Sequence, residues 1–393
     1  MESSIIDKLI LFSHFEFDLY KKRKGILTRK LATNVLAKRT IEGEIEEFTF
    51  FYSSKRKDQN RLFEKIYSSC PYRKTKLVLK RKTTLNGRFL LGFISNFSFF
   101  HTIRRTLNKY YGTVKVSLRE QLYIYIDYLA QEDFLRSVKK QNIDKLKVFV
   151  VLADVLLFEQ TAVCYFNTKN MSTVTAQHGI FFWQDDFSYV QKLNYYNAPS
   201  KYVLTWGENT SKLFNRLSPD TESIICGNPL LVPKRVQVKN FIAVSGDTVN
   251  FIDENKKMIE IAELFAKNHS MDLYVRLHPA DREENYVVDT DITQFRKDID
   301  EAQFILSHTS SMLCQYISEG RRVFRYKSKI ELDYVPSIIE FTNINELEEL
   351  VKSVDINAFH LIAAKNIAYC GKDSMRKYSE AFNYIRKNSV DLR

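Results

Sequence analysis

Three short stretches carry residues able to do chemistry. In "VRLHP", Val275 to Pro279, Arg276 and His278 lie two apart, so on one strand their side chains share a face. Pro279 blocks continuation of that strand. An imidazole at such an exit can donate to a phosphate oxygen, with Arg276 adding positive charge nearby. In "SHTSSMLCQYISEG", Ser307, Thr309, Ser310 and Ser311 crowd a strand-to-helix junction. Hydroxyls and the free N–H groups of a helix start favour an anion there; a plain N-cap explains the same Ser-Ser pair. Glu319, further along that helix, would hold a pair of sugar hydroxyls or serve as a capping residue. In "TVTAQHGIFF", residues 173–182, a β-branched run stops at Gln177-His178-Gly179. A purely structural turn favours Asn, Asp, Gly or Pro. Histidine titrates near neutral pH and can act as a general base. Asp185 and Asp186 in "QDDF" are competing bases, or part of a polar loop. Gly246 in "VSGD" would let backbone approach a phosphate. The pair Asp289 and Asp291 in "YVVDTDITQF" has the spacing of a Mn²⁺ or Mg²⁺ site, which a connecting loop and helix cap explain equally well.

The elements that must position these residues are legible from residue 147 onward. "KVFVVLAD", "STVTAQHG", "KYVLTWGE" and "ESIICGNP" read as strands, with "NTSKLFNRL" as a helix among them. "LLVPKRVQVKN" reads as a linker. Behind it come the strands "FIAVSGD", "MDLYVRLHP", "EAQFILSHTSS", "RRVFRY" and "SIIEFT". The helices there are "NKKMIEIAELFAKNH", "MLCQYISEG" and "NINELEELVKSV", the last capped by Asn343 or Asn345. The tail from 357 to 388 reads as helical throughout. Strands alternating with helices predict parallel sheets covered on both faces. The division falls near residue 235: an acceptor-binding half at 1–235 and a donor-binding half at 236–393. In open α/β sheets ligands sit at the carboxyl ends of strands, where His178, Gly246, His278, Ser310 and Ser311 fall. Residues 1–140 are rich in Lys, Arg, Phe and Tyr and match no pattern.

Composition bounds the partners. A chain of 393 residues is too long for one core, and 45% hydrophobic residues suffice for two. The formal net charge of +12 favours an anionic ligand, a nucleic acid or an anionic membrane surface. No nucleic-acid-binding module is present, which argues against the second of these. The five cysteines are scattered without a C-x-x-C pair, which argues against a zinc site or disulfide framework and for reduced thiols. "MESSIIDKLILFSHFEFD" does not read as a signal peptide. No stretch reaches the roughly 18 apolar residues of a membrane helix. The expectation is a cytoplasmic chain. The basic stretches 21–30 and 79–88, with the apolar "FLLGFISNFSFF" at 89–100, would bring it to the inner membrane surface.

The order QHG, then GNP, then HP, then SS with a downstream Glu resembles the GT-B class of nucleotide-sugar glycosyltransferases. Within that class it is similar to a bacterial surface-polysaccharide branch. That branch includes the CDP-glycerol glycerophosphotransferases of teichoic acid synthesis and the bacterial sialyl- and polysialyltransferases. His178-Gly179 and His278-Pro279 match the former; His278-Pro279 and Ser310-Ser311 match the latter. The resemblance covers roughly residues 145–350. The acidic-Asp-Gly base motif of the sialyltransferases is absent, since "QDDF" lacks the glycine. The resemblance implies two Rossmann-like parallel-sheet domains facing a cleft. It implies a metal-independent enzyme without a cofactor, moving a sugar from a nucleotide-sugar donor to a capsular or exopolysaccharide acceptor, glycan or lipid-linked. Transfer of a polyol phosphate from CDP-glycerol or CDP-ribitol is the alternative, and a nucleotide-sugar epimerase shares the architecture. His278, Ser310 and Ser311 would hold the donor phosphates. Glu319 would hold the ribose or transferred group, Arg276 would sit near the leaving phosphate, and His178 would be the base.

Overall fold

The computed structural model describes residues 3–20, 27–28, 30, 37–53, 56–83, 98–113, 115–181, 198–232, 237–247, 251–278, 281–310, 312–330, 332 and 335–390. Its strands are β1 (Ala37–Glu42), β2 (Phe48–Phe51), β3 (Lys74–Thr83), β4 (Val148–Val151), β5 (Ser172–Ala176), β6 (Tyr202–Thr205), β7 (Glu222–Ile225), β8 (Lys239–Ser245), β9 (Asp272–Arg276), β10 (Thr293–Phe295), β11 (Ala302–Ser307), β12 (Val323–Tyr326) and β13 (Glu340–Phe341). Its helices are α1 (Ser3–Tyr20), α2 (Lys57–Ser69), α3 (Phe99–Tyr111), α4 (Leu118–Lys139), α5 (Leu157–Asn167), α6 (Glu208–Leu217), α7 (Ile252–Asn268), α8 (Met312–Ser318), α9 (Ile344–Ser353), α10 (Ile356–Asn366) and α11 (Gly371–Val390).

The first sheet runs β1-β3-β2-β4-β5-β6-β7, parallel except for β1, which lies antiparallel to β3. Strands β2, β4, β5 and β6 are buried along their whole length, which is why they read as unbroken apolar or β-branched runs. Successive side chains point to opposite faces. Phe48 and Phe50 meet α11, where Phe382 packs edge-on at 5.6 and 5.8 Å. Phe51 meets Phe134 of α4 at 5.6 Å, and Phe149 meets Phe166 of α5 at 4.3 Å. Each such ring contributes about 1.5–3 kcal/mol by leaving water. The free edge of β1 is closed by α4, whose Asp133 and Ser137 side chains accept the Arg39 and Ile41 amides at 3.3 and 2.9 Å. Helices α1, α3 and α4 share a separate apolar cluster around Leu9, Ile103 and Tyr125.

The second sheet is parallel throughout, in the order β10-β9-β8-β11-β12-β13. Counted from β8, this is the 3-2-1-4-5-6 order of dinucleotide-binding sheets, with its switch point between β8 and β11. Asn343 is the cap of α9, its side chain accepting the Glu346 amide at 3.1 Å. "SIIEFT" forms a short 3₁₀ turn at Ser337–Ile339 and only then the strand β13. No helix among the described residues is long and apolar enough to cross a membrane.

The tail is not one helix. It breaks between α10 and α11, because residues 367–370 are claimed by the first sheet's loops. The Ala368 amide donates to the Trp206 carbonyl at 2.9 Å, and the Asn228 amide donates to the Tyr369 carbonyl at 2.8 Å. Gly227 has φ +79°, and a Cβ there would lie 2.0 Å from the Tyr369 oxygen. Helix α11 then returns to the first sheet: Asn383 accepts from Tyr72 at 2.6 Å, Arg386 pairs with Glu47 at 2.6 Å, and Ser389 donates to Ser172 at 2.5 Å.

Candidate functional site

Adjacency of strands builds the first half of the site. Ser245 on β8 stands opposite Arg276 on β9 and opposite Ser307 on β11. Gly246, Arg276, His278 and Ser310 therefore leave neighbouring strands at one edge, the carboxyl end of the second sheet. The Gly246 amide donates to the Arg276 carbonyl at 2.8 Å, so it prolongs the ladder and is not free for a phosphate. A Cβ at Gly246 would sit 3.3 Å from that same oxygen. Arg276 reaches across to α8 and donates to the Tyr316 hydroxyl at 2.8 Å, which pins the guanidinium at the edge. Burial pushes the Tyr316 phenol up, with Arg276 opposing. The His278 carbonyl accepts the Asp281 amide at 2.8 Å, closing a turn after β9. Burial works against ionisation of Asp281. Bonds from Tyr286, Asn285 and the Arg282 amide nonetheless hold its carboxyl below the usual range, helped by His278.

Ser310 is an N-cap, accepting the Met312 amide at 3.3 Å. Ser311 lies outside the described residues, as do Asp185 and Asp186. Helix α8 is only seven residues long, and Glu319 is not on it. Gly320, at φ +78°, ends the helix: its amide donates to the Ile317 carbonyl and the Arg321 amide to the Tyr316 carbonyl. This is a Schellman turn with Glu319 as C-cap. Glu319 therefore stands at the opposite end of α8 from Ser310. Its charge is felt at Cys370, whose thiol is pushed up to about 11 chiefly by burial and then by Glu319.

A groove of about 1020 Å³ opens on the β9–β10 side of this edge, lined among others by Arg276, His278, Arg282, Phe295, Arg296 and Lys297. The Arg296 guanidinium lies over the Tyr274 ring, 3.6 Å from its centre. Asp289 pairs with Lys267 at 2.8 Å and accepts the Asp291 amide at 3.1 Å, so the Asp-x-Asp pair is a salt-bridged turn before a strand, β10. Among the described residues no group of three His, Cys, Asp or Glu could hold a metal.

His178 belongs to the first sheet, just past β5. Its neighbour Gln177 fixes it there. The buried Gln177 amide group donates to the Gly179 carbonyl at 2.7 Å and accepts the Trp206 amide at 2.6 Å. A Gln-His-Gly turn is thus tied to the exit of β6, which answers why a strand ends in these residues. The His178 ring packs edge-on against Phe181 at 5.4 Å. A narrow crevice there is lined by Asp154, Thr175, Gln177, His178, Phe181 and Phe214, among others. Asp154 is 4% exposed and accepts the Ser200 amide at 3.3 Å.

The first sheet has its own switch point, between β2 and β4, and a buried carboxylate stands behind it. Glu159, in the first turn of α5, accepts the Ser53 amide at 2.5 Å and hydroxyl at 3.0 Å. Burial pushes its carboxyl up to about 7 from 4.5. Below pH 4.5 it is protonated folded and unfolded alike. As pH rises through the folded value, the unfolded chain has already lost the proton and the folded state must follow. Stability should therefore fall between pH 4.5 and 7, by about 3 kcal/mol at most. Glu159→Gln should gain on wild type by that amount between pH 4.5 and 8 in urea unfolding. An offset equal at both pH values would show that burial does not shift this group.

No protein-family model and no curated protein matches the sequence. Solved structures do. The UDP complex of MnaA from S. aureus aligns with 89% of this chain and 98% of its own, at 11% identity and a TM-score of 0.53. A UDP-N-acetylglucosamine 2-epimerase covers 87% of this chain and 97% of its own, at 10% identity and a TM-score of 0.52. The wall teichoic acid polymerase TagF spans all of this chain and 99% of its own at 11% identity, with a TM-score of 0.44, a likeness too loose to weigh on activity. The first two likenesses bear on fold alone: two α/β domains, each built on a mainly parallel sheet, in the GT-B arrangement.

Proposed function

We propose that the chain is a glycosyltransferase that moves a sugar from a nucleotide-activated donor to a cell-surface glycan acceptor without a bound metal. One observation carries the reading: Arg276 and His278 leave β9 and Ser310 follows β11, on either side of β8, at the carboxyl edge of a 3-2-1-4-5-6 sheet, where such sheets take nucleotides. In this reading Arg276 and His278 face the donor phosphates and stabilise the charge that develops on the leaving nucleotide. Gly246 sets the close approach of β8 to β9 there. Ser310 adds a hydroxyl; Ser311 is assigned with it by motif. Glu319, the C-cap of α8, is assigned to the ribose or transferred group by motif alone. His178, presented by the first sheet, takes the proton of the acceptor hydroxyl as that oxygen bonds to the sugar carbon and the sugar–phosphate bond breaks. Asp185 and Asp186 are its substitutes. The proposed division falls near residue 235, except that α11 packs on the first sheet and goes with the acceptor half. A lipid-linked acceptor at the inner membrane surface would be met by the basic stretches 21–30 and 79–88.

A second reading, epimerisation of a nucleotide sugar, is favoured by the epimerase among the similar structures. It needs no acceptor, so turnover of the donor alone separates the two. The first test is thermal shift with UDP, GDP, CDP, CMP and dTDP in excess EDTA. A bound nucleotide at a hundredfold over Kd should stabilise by about 2.7 kcal/mol. His278→Ala should abolish that shift while melting as wild type does without ligand. No shift with any nucleotide, or an unchanged shift in the variant, would refute the assignment.

A further inference from the structure

The ladder between β8 and β11 ends at Ser245 opposite Ser307. Beyond that pair the chains must part, because right-handed crossovers carry one to β9 and the other to β12 on opposite faces. Two residues further on, they are tied again. The Thr309 amide donates to Asp247 Oδ2 at 2.9 Å, and the Thr309 hydroxyl donates to the same oxygen. Asn255 of α7 holds the other side of Asp247: its Oδ1 accepts the Asp247 amide at 2.9 Å, and its Nδ2 donates to the Asp247 carbonyl at 3.0 Å. Asp247, Thr309 and Asn255 are 6%, 8% and 0% exposed. The His308 ring lies alongside, Nδ1 3.7 Å from that carboxylate and Nε2 2.6 Å from the Ser328 hydroxyl.

The connection does not stop at Asn255. Its Nδ2 also reaches the Tyr286 hydroxyl at 3.2 Å, and Tyr286 donates to Asp281. The Asp281 amide closes the turn onto the His278 carbonyl. A single hydrogen-bonded chain therefore runs from Thr309, next to Ser310, through Asp247, Asn255, Tyr286 and Asp281 to His278. It joins three loops that the sequence separates by tens of residues. A buried carboxylate is costly unless every lone pair is used, and apolar packing would join the loops at less cost. What the polar chain adds is direction: it fixes particular backbone groups at particular distances.

We propose that Asp247 and Thr309 form a latch, continued through Asn255, Tyr286 and Asp281, that positions the Ser310 and His278 loops at a fixed spacing for the two ends of a nucleotide diphosphate. These five are positioning residues and do not touch the nucleotide. The proposal rests on the second sheet being the donor half.

The test is calorimetry with UDP and with CDP on the full chain carrying Asp247→Asn, Thr309→Val, Thr309→Ser or the Asp247→Asn/Thr309→Val pair, with melting temperatures measured alongside. Asp247→Asn and Thr309→Val should each weaken the bound nucleotide about tenfold, equivalent to about 1.4 kcal/mol. Thr309→Ser keeps the hydroxyl and should bind as wild type does. The pair should be no weaker than the worse single variant, since each breaks the same tie. Loss of affinity at an unchanged melting temperature supports positioning, because a merely structural role would move the melt instead. Affinities within twofold of wild type in both single variants, or losses that multiply in the pair, overturn the latch. A wild type that binds neither nucleotide overturns the donor reading instead. In that event hydrogen exchange of the Thr309 amide decides the latch: faster exchange in Asp247→Asn supports it, and unchanged exchange refutes it.

Discussion

His178→Ala should cut turnover by roughly 10²–10⁴-fold while nucleotide affinity stays within a factor of two or so of wild type. The residue sits just past β5 of the first sheet, and the groups proposed to hold the donor leave the second. If, as proposed, the imidazole serves the acceptor while Arg276 and His278 meet the donor phosphates, kcat should fall and donor binding should not. Only the neutral imidazole accepts a proton, so wild-type activity should climb with pH across the range where histidine deprotonates. The control is His178→Asn. Asn suits a turn, and the Gln177 bonds to Gly179 and Trp206 remain available to hold it. A His178→Asn variant with near-wild-type turnover and an unchanged pH profile would remove His178 from the chemistry and promote Asp185 or Asp186.

Gly227→Ala should leave little folded protein. The new methyl would stand 2.0 Å from the Tyr369 oxygen, and the backbone is at φ +79°. Left-handed backbone costs a non-glycine residue about 1–2 kcal/mol. Overpacking against immovable backbone adds about 1–3 kcal/mol. The Tyr369 carbonyl cannot retreat cheaply, because it accepts the Asn228 amide. Expression with soluble yield and a urea midpoint would check this. A variant with wild-type stability would mean that the 226–228 and 367–370 segments separate readily.

The second half of the fold was legible because its strands are short, buried and β-branched and its helices have one apolar face. The first 140 residues were not, for identifiable reasons. Strand β2 is four residues long, and β3, "KTKLVLKRKT", reads as a charged surface. Helix α4 is buried around most of its girth, including Glu120, Gln121 and Gln131, so it shows no stripe. The break in the tail has one local mark, Gly371 at φ +51° where α11 begins; the segment before it is held by Trp206 and Asn228, more than a hundred residues away. Glu319 was misplaced despite a usable signal, the Gly320 that ends α8. At the proposed site, sequence singled out Arg276, His278 and Ser310 as candidates but not Asp247, whose partner Thr309 is 62 positions on. That pairing exists only because β11 lies beside β8, and strand order is not written in local pattern.

The return of α11 has a consequence for how the protein is made. Phe382 belongs to the apolar layer over Phe48 and Phe50, and Ser389 bonds Ser172. The first sheet cannot be completed on the ribosome until residues beyond 380 have emerged. At about 5–20 residues per second, its Phe48 face waits through synthesis of the entire second sheet. That second sheet closes on itself within residues 239–341 and is free to fold meanwhile. The order of assembly therefore departs from the order of the chain: β1 and one face of β2 can be covered early by α4, while the Phe48 face of β2 is completed only by the last helix.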